Sequence, residues 1–257
     1  MAMATQLVAL RTLVRKECNR VFRIWLQTIL PPAMTTALYF LIFGNLIGRR
    51  IGQMDGFDYA QYIAPGLIMM QVVTNSYGNV VSSFFSAKMQ RHLEEMLVAP
   101  MADWVIILGH AMGGVVRGLA VAAAVTVVAL FFTHLHVAHV LVTLSVVVLT
   151  AFVFSLGGLI NAILAKNFDD VSIIPSFVLA PLSYLGGVFY SISILPEFAR
   201  HLSRLNPVLY MVNAFRYGML GVSDIDIGLA YALILAFAAL LFVACLVLIR
   251  RGTGIRS

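Results

Sequence analysis

Charge is what this sequence has least of. Only 11% of its 257 residues are charged, while 61% are apolar; a soluble domain carries roughly 25% charged residues. A water-soluble fold of this length is excluded. Lysine is scarcer still. Lys16, Lys88 and Lys166 are the three in the chain; none is followed by Ser or Thr, and none closes a Gly-x4-Gly-Lys pattern. There is therefore no P-loop for a nucleotide. The two cysteines, Cys18 and Cys245, lie near opposite ends of the chain on apolar stripes, which argues against a structural disulfide. No polar stretch is long enough to hide a second folded unit, so residues 1–257 read as one membrane domain. No cleavable leader is evident, because the basic N-terminal segment runs into a full span without a small-residue cleavage site.

Carboxylates are also missing from the apolar runs. All eleven carboxylates, from Glu17 to Asp226, lie outside them. Carriers coupled to protons or sodium use such a group inside the bilayer, so its absence argues against one, with His110 and the ends of broken helices keeping that alternative open. His134, His136 and His139 form H-x-H-x2-H in one short loop, with no carboxylate to support a metal; they read as a tight turn at the membrane surface. No Ser/His/Asp set and no paired carboxylates stand out, so no catalytic residue is assigned and the chain does not read as an enzyme.

What is present is a series of apolar runs, each near the 20 residues that cross a bilayer as a helix. Six are expected: 27–47, 59–85, 105–132, 140–165, 171–190 and 227–249. Six spans put both termini on one side. The N-terminal segment, residues 86–100, Lys166 and the C-terminal tail carry 11 Lys and Arg, against 5 on the other side (Arg49, Arg50, Arg200, Arg204 and Arg216). That bias places both termini in the cytoplasm. The net charge of +6 belongs to these span ends and to anionic lipid, and gives no ground for a nucleic-acid partner.

Before the first span, Leu7, Leu10, Val14, Cys18, Val21 and Trp25 recur at helical spacing. Residues 4–25 are thus expected to form a basic amphipathic helix lying in the membrane interface. Residues 86–100, SAKMQRHLEEMLVAP, combine Arg91, Glu94 and Glu95 with apolar Leu93, Met96, Leu97 and Val98. They suit a short helix docking a soluble partner, or an ordinary solvated loop helix. On the second span, Gln71, Asn75, Asn79 and Ser82/Ser83 share one helical face. Polar groups facing lipid are costly, so the stripe either bonds neighbouring helices or lines a route for cargo. Arg117 falls about one turn inside the third span, within snorkelling reach of its edge. Gly109/Gly113 and Gly114/Gly118 permit close helix approach. Between the last two spans, residues 191–226 read as two short helices dipping into the outer leaflet. Phe198, Leu202 and Leu205 form the apolar face of the first, and Val208, Val212, Phe215 and Met219 that of the second. Asn206 and Pro207 are in N-cap and N1 positions.

Residues 183–218, SYLGGVFYSISILPEFARHLSRLNPVLYMVNAFRYG, leave a proline-broken span with Tyr-Leu-Gly-Gly, turn at Leu-Pro and Asn-Pro, and end at an Arg beside an aromatic. This resembles the C-terminal signature of the ABC-2 type permeases, the membrane subunits of ATP-driven exporters. The run Phe-x6-Arg-x2-Glu-Glu-Met-Leu-x-Ala-Pro resembles their coupling-helix region. The resemblance extends over nearly the whole chain and is closest to the short YadH-type bacterial inner-membrane permeases, with nodulation and polysaccharide exporters as wider relatives. It implies an all-α polytopic fold with six transmembrane helices, an N-terminal interface helix and a re-entrant outer helix pair before the last span. It assigns ATPase coupling to Arg91, Glu94, Glu95, Met96 and Leu97. A translocation path would be lined by Gln71, Asn75, Asn79 and Ser82, with Ser183 and Tyr184 on the fifth span, and an outer gate would involve Pro196, Asn206, Pro207 and Arg216. It further implies a homodimer in the bacterial inner membrane, bound to two copies of a separate P-loop ATPase. That partner would hold ATP and magnesium, and this chain would carry no cofactor. The cargo would be amphipathic, lipid-linked, glycan-bearing or drug-like. The competing reading is an ATP-independent carrier or channel. A membrane-embedded hydrolase or transferase is a minor third, with His110 as its first test.

Overall fold

The computed structural model describes residues 3–254. They form an almost wholly helical bundle. Helix α1 (Met3–Arg23) lies ahead of the first span, α2 (Trp25–Ile51). Pro31 and Pro32 sit in the opening turns of α2, and Phe40–Ile47 widens to a π-helical stretch. A small hairpin, β1 (Gln53–Met54) with β2 (Phe57–Asp58), fills the loop that follows. Its tip turns on Asp55 and Gly56, both at positive φ. Then come α3 (Tyr59–Met89), the short α4 (His92–Val98), α5 (Asp103–Leu130), α6 (Val140–Leu164) and α7 (Phe168–Leu185). The outer segment contains α8 (Glu197–Arg204) and α9 (Pro207–Leu220), and α10 (Ile227–Arg251) closes the chain.

Five helices, α2, α5, α6, α7 and α10, are long and apolar enough to cross a membrane. Helix α3 is longer than any of them at 31 residues, about 46 Å at about 1.5 Å per residue. Its polar stripe lowers its mean hydropathy. It does not need an apolar surface all round, because it is the centre of the bundle, packed against α5, α6 and α9 and buried over most of its length.

Close helix crossings accompany a large apolar core. A Cβ on Gly114 of α5 would lie 2.8 Å from the Ser76 carbonyl of α3, and one on Gly158 of α6 2.5 Å from the Tyr77 carbonyl. Gly109 and Gly113 receive Leu13 and Glu17 of α1 instead. The two Gly-x3-Gly pairs thus serve two different neighbours, α1 on one side of α5 and α3 on the other.

Helix α1 departs from its expected orientation. Of the apolar stripe only Val21 is buried; the line facing the protein is Gln6, Leu13, Glu17 and Val21. Leu7 and Trp25 are exposed. Apolar periodicity identifies a face that avoids water, and in a membrane that face is free to meet lipid while a polar line packs inward. The outer segment shows the same division. Helix α8 exposes Phe198 and Leu202, with Leu205 exposed just past its end, whereas Val208, Val212, Phe215 and Met219 of α9 are buried. Helix α9 is therefore built into the bundle, its apolar face against protein.

The first and last described helices meet the same end of the bundle. Gln6 donates to the Pro100 carbonyl (3.0 Å) and accepts from the Ala102 amide (2.8 Å), and Arg250 pairs with Asp103 at 3.2 Å. Arg256, part of the basic tail, lies outside the described residues. Cys18 and Cys245 are both free. Burial, reinforced by the neighbouring Glu17 carboxylate, holds the Cys18 thiol above its usual pKa.

Candidate functional site

The polar stripe of α3 meets α1 and α5 at the termini end of the bundle. Glu17 is fully buried although it lies outside every apolar run. Its carboxylate accepts from Ser83 Oγ at 2.8 Å and pairs with Arg20 at 3.3 Å. Arg20 in turn donates to the Asn79 carbonyl and to Asn79 Oδ1, both at 2.8 Å, and to Ser82 Oγ at 3.4 Å. One turn further along, Asn75 Oδ1 accepts from Arg117 at 3.5 Å, while Asn75 Nδ2 bonds back to the Gln71 carbonyl. A buried carboxylate needs a charge partner and hydrogen-bond donors to remain ionised. Arg20 and Ser83 supply them.

The stripe is split by this packing. Gln71, Asn75, Asn79 and Ser83 are buried. Thr74 and Ser82 are exposed, with Gly78 half-buried between them. These three residues lie at i, i+4 and i+8, so they form one open strip along α3. A Cβ on Gly78 would find nothing within 4 Å, in contrast to the crowded glycines of α5. The strip is small and polar, and nothing within the described chain covers it. Arg20 adds a cation where it meets Ser82.

On α7, Ser183 and Tyr184 do not share a face. Ser183 is buried, and its hydroxyl has no hydrogen-bond partner among the described residues. Tyr184 points outward, and its hydroxyl lies 2.9 Å from that of Tyr39 on α2. Helix α7 opens on a capping box between Asn167 and Asp170 and widens to a π-helical stretch at Pro175–Leu179.

The expected docking segment divides as well. Residues 86–89 continue α3, and the chain turns at Arg91, which adopts left-handed backbone angles (φ 60°). Leu93 does not serve as an external apolar anchor; it is buried beside Phe84, Phe85 and Ile106. Glu94 and Glu95 are exposed, Met96 is half-buried, and Val98 is 87% exposed. Leu97 lies in the helix, but its side chain is outside the described residues. The segment is thus a short acidic helix fastened inward by one leucine.

At the opposite end, Arg216 is the largest fully buried side chain. Its guanidinium lies 4.2 Å from the centre of the Tyr62 ring, donates to the Gly187 carbonyl at 2.6 Å, and contacts Asn213 Oδ1 at 3.4 Å. That same oxygen accepts from the Asp224 amide at 3.1 Å, and Asp224 takes Ser191 Oγ at 2.6 Å and the Ile192 amide at 3.1 Å. Asn206 caps α9, accepting from the Val208 amide at 2.9 Å, and donates to the Leu182 carbonyl at 2.6 Å. Pro207 follows at the first helical position, and exposed Pro196 precedes α8. His139 does not turn toward the other two loop histidines. It stacks on Tyr217 with ring centres 4.8 Å apart.

Sequence reasoning does not identify Glu17, Tyr62 or Asp224 as parts of these networks. Glu17 carries a usable signal, since it falls on the same helical line as Gln6 and Leu13.

The model of a family described as ABC-2 type transporter matches residues 8–220. The chain is 53% identical over 250 residues to the inner membrane transport permease YadH of Escherichia coli K12, covering 97% of this chain and 98% of that protein. It is 23% identical to nodulation protein J of Rhizobium meliloti over 89% of this chain and 88% of that one. The corresponding protein of Bradyrhizobium diazoefficiens is 25% identical, with 84% and 82% covered.

Proposed function

The chain belongs to the ABC-2 type transporter family, and from that premise we propose that it is the export permease of an ATP-driven complex, working as a homodimer with a separate P-loop ATPase. As a family member it is a multi-pass membrane permease of an ABC transporter. The finer reading is supported by one observation above the others, the open strip of Thr74, Gly78 and Ser82. The hydroxyls of Thr74 and Ser82 donate to the Met70 and Asn79 carbonyls of their own helix, but the Arg20 guanidinium beside Ser82 is costly against lipid. The strip therefore belongs to a wet path, completed by a second copy of the chain. The cargo is an amphipathic, lipid-linked, glycan-bearing or drug-like molecule.

In this mechanism the ATPase holds ATP and magnesium and supplies the energy; the present chain holds no cofactor. Glu94 and Glu95 on α4 meet the ATPase. Because Leu93 ties α4 to the base of α3, a push on α4 reaches the helix that lines the path. Both termini, the α4 loop and Lys166 face the cytoplasm. Arg216 and the elements it joins close the opposite end.

The test has two parts. The tagged chain is purified in mild detergent and its companions identified by mass spectrometry; a stoichiometric soluble P-loop ATPase is the expected result. Gly78→Cys is then probed with a membrane-impermeant thiol reagent, and labelling that changes when ATP is added is expected. Recovery of the chain alone, together with an introduced thiol that never reacts, would replace this reading with an autonomous carrier or channel.

A further inference from the structure

Three adjacent cavities at the end of the bundle away from the termini share one residue, Arg204. Among the described residues its guanidinium has no hydrogen-bond or ion-pair partner. The other arginine of α8, Arg200, donates through Nε and Nη2 to the carbonyls of Ile192, Ser193 and Leu195. Arg204 is therefore a free cation held at the mouth of a groove.

The groove below it is apolar. It has a volume of about 230 Å³ and is walled by Leu205, Pro207 and Met211 on one side and Leu233, Ile234 and Phe237 of α10 on the other. Phe237 stands ten residues beyond the start of α10, about 15 Å along the axis at about 1.5 Å per residue. That is about half the thickness of a bilayer's hydrocarbon core. The groove itself follows about one turn of α10, from Leu233 to Phe237, and an apolar groove at this depth on a membrane-crossing helix takes a segment of one acyl chain, since an empty one forfeits its dispersion contacts.

Two carboxylates flank Arg204 in a neighbouring cavity of about 270 Å³, lined also by Tyr210. Asp226 uses only Oδ1, to cap α10 through the Leu229 amide at 2.8 Å. Asp224 faces the same space while holding Ser191 and Ile192. One cation beside two carboxylates repels a purely anionic headgroup and matches a zwitterionic one.

We propose that this is a binding site for a phospholipid with a zwitterionic, primary-amine headgroup. One acyl chain lies in the groove between Leu205 and Phe237, the phosphate lies on Arg204 and the ammonium on Asp226 and Asp224. A primary ammonium donates three hydrogen bonds, which a quaternary choline lacks. The site therefore distinguishes phosphatidylethanolamine from phosphatidylcholine at equal net charge. This inference rests on the chain spanning a membrane and is independent of the ATPase and cargo assignments.

The test is native mass spectrometry of the delipidated, full-length chain, given equal amounts of dioleoyl phosphatidylethanolamine, phosphatidylcholine and phosphatidylglycerol. The wild type retains phosphatidylethanolamine about tenfold over phosphatidylcholine, the size of one charge-assisted hydrogen bond. Asp226→Asn keeps a good N-cap residue and removes the charge, bringing phosphatidylethanolamine retention down to the phosphatidylcholine level; Arg204→Ala removes the phosphate contact that both lipids make and lowers retention of both. Leu233→Trp fills the groove and lowers retention of every lipid. Equal retention of the two zwitterionic lipids by the wild type, preference for phosphatidylglycerol, displacement by free glycerol phosphate, an unchanged preference in D226N, or unchanged retention of both lipids in R204A overturns the proposal.

Discussion

The carboxylate of Glu17 on α1 accepts the hydroxyl proton of Ser83 on α3 at 2.8 Å, and both groups are buried. This bond joins the helix that precedes the first span to the central helix of the bundle. Arg20, held by Glu17, extends the junction to Asn79 and Ser82.

Removing the carboxylate should loosen that junction. Glu17→Ala leaves Ser83 without its acceptor and Arg20 without its counter-charge, a loss of about 2 kcal/mol by the usual worth of hydrogen bonds to charged groups. Glu17→Gln keeps an acceptor for Ser83 and should lose less. Thermal unfolding in detergent ranks the two, and hydrogen exchange over residues 3–23 should rise in E17A.

The outer network depends on the shape of Arg216 as well as on its charge. Arg216→Lys keeps the cation but cannot reach both Gly187 and Asn213 from the face of Tyr62, so it should destabilise nearly as much as Arg216→Ala. The loss in R216A is about 3 kcal/mol, for a buried group stripped from its partners. Tyr62→Phe preserves the ring under the guanidinium and should cost under about 1 kcal/mol. Recovery of monodisperse protein after heating measures all three.

Two sets of glycines should respond in opposite ways to one methyl group. Gly114→Ala on α5 drives a Cβ to within 2.8 Å of the Ser76 carbonyl, an overpacking cost of about 1–3 kcal/mol. Gly78→Ala meets nothing within 4 Å and should leave stability unchanged or slightly raised, alanine being the better helix former. Stability curves for the pair decide it.

Charge reversal at the exposed acids of α4 should act on the partner and not on the fold. Glu94→Lys with Glu95→Lys leaves Leu93 in place and should keep the thermal midpoint, while stimulation of the companion ATPase falls at least about tenfold, the size of one lost charge-assisted contact. Unchanged co-purification and unchanged stimulation would remove α4 from the docking role.

Much of the fold was legible in the sequence because apolar length is a direct physical requirement of the bilayer. The long helices appear within a few residues of the expected spans, and the cap at Asn206 and Pro207 appears where its chemistry places it. Orientation was less legible. Periodicity finds the apolar stripe of α1 but does not tell lipid from protein, so it passes over the buried line through Glu17. Leu93 misleads for a related reason: an apolar residue on a short helix has the same signature whether it anchors inward or outward. The stripe on α3 is visible, but its division into a buried half and an open half depends on Arg20 and Arg117, which arrive from distant parts of the chain. The Arg216 network joins residues from Tyr62 to Asp224, and no local pattern encodes such a meeting.

Helix α7 is pinned at both ends and soft between them. Near its start, Asn161 donates to the Val171 carbonyl (3.3 Å), and just before it Lys88 holds the carbonyls of Ile163 and Ala165 at the end of α6 (2.8 and 2.6 Å). Toward its end and just beyond it, Asn206 and Arg216 grip Leu182 and Gly187. The middle, Pro175–Leu179, is π-helical with a proline at its head, so its backbone ladder is already interrupted. A bend in α7 is therefore expected at Pro175 sooner than at either of its held ends.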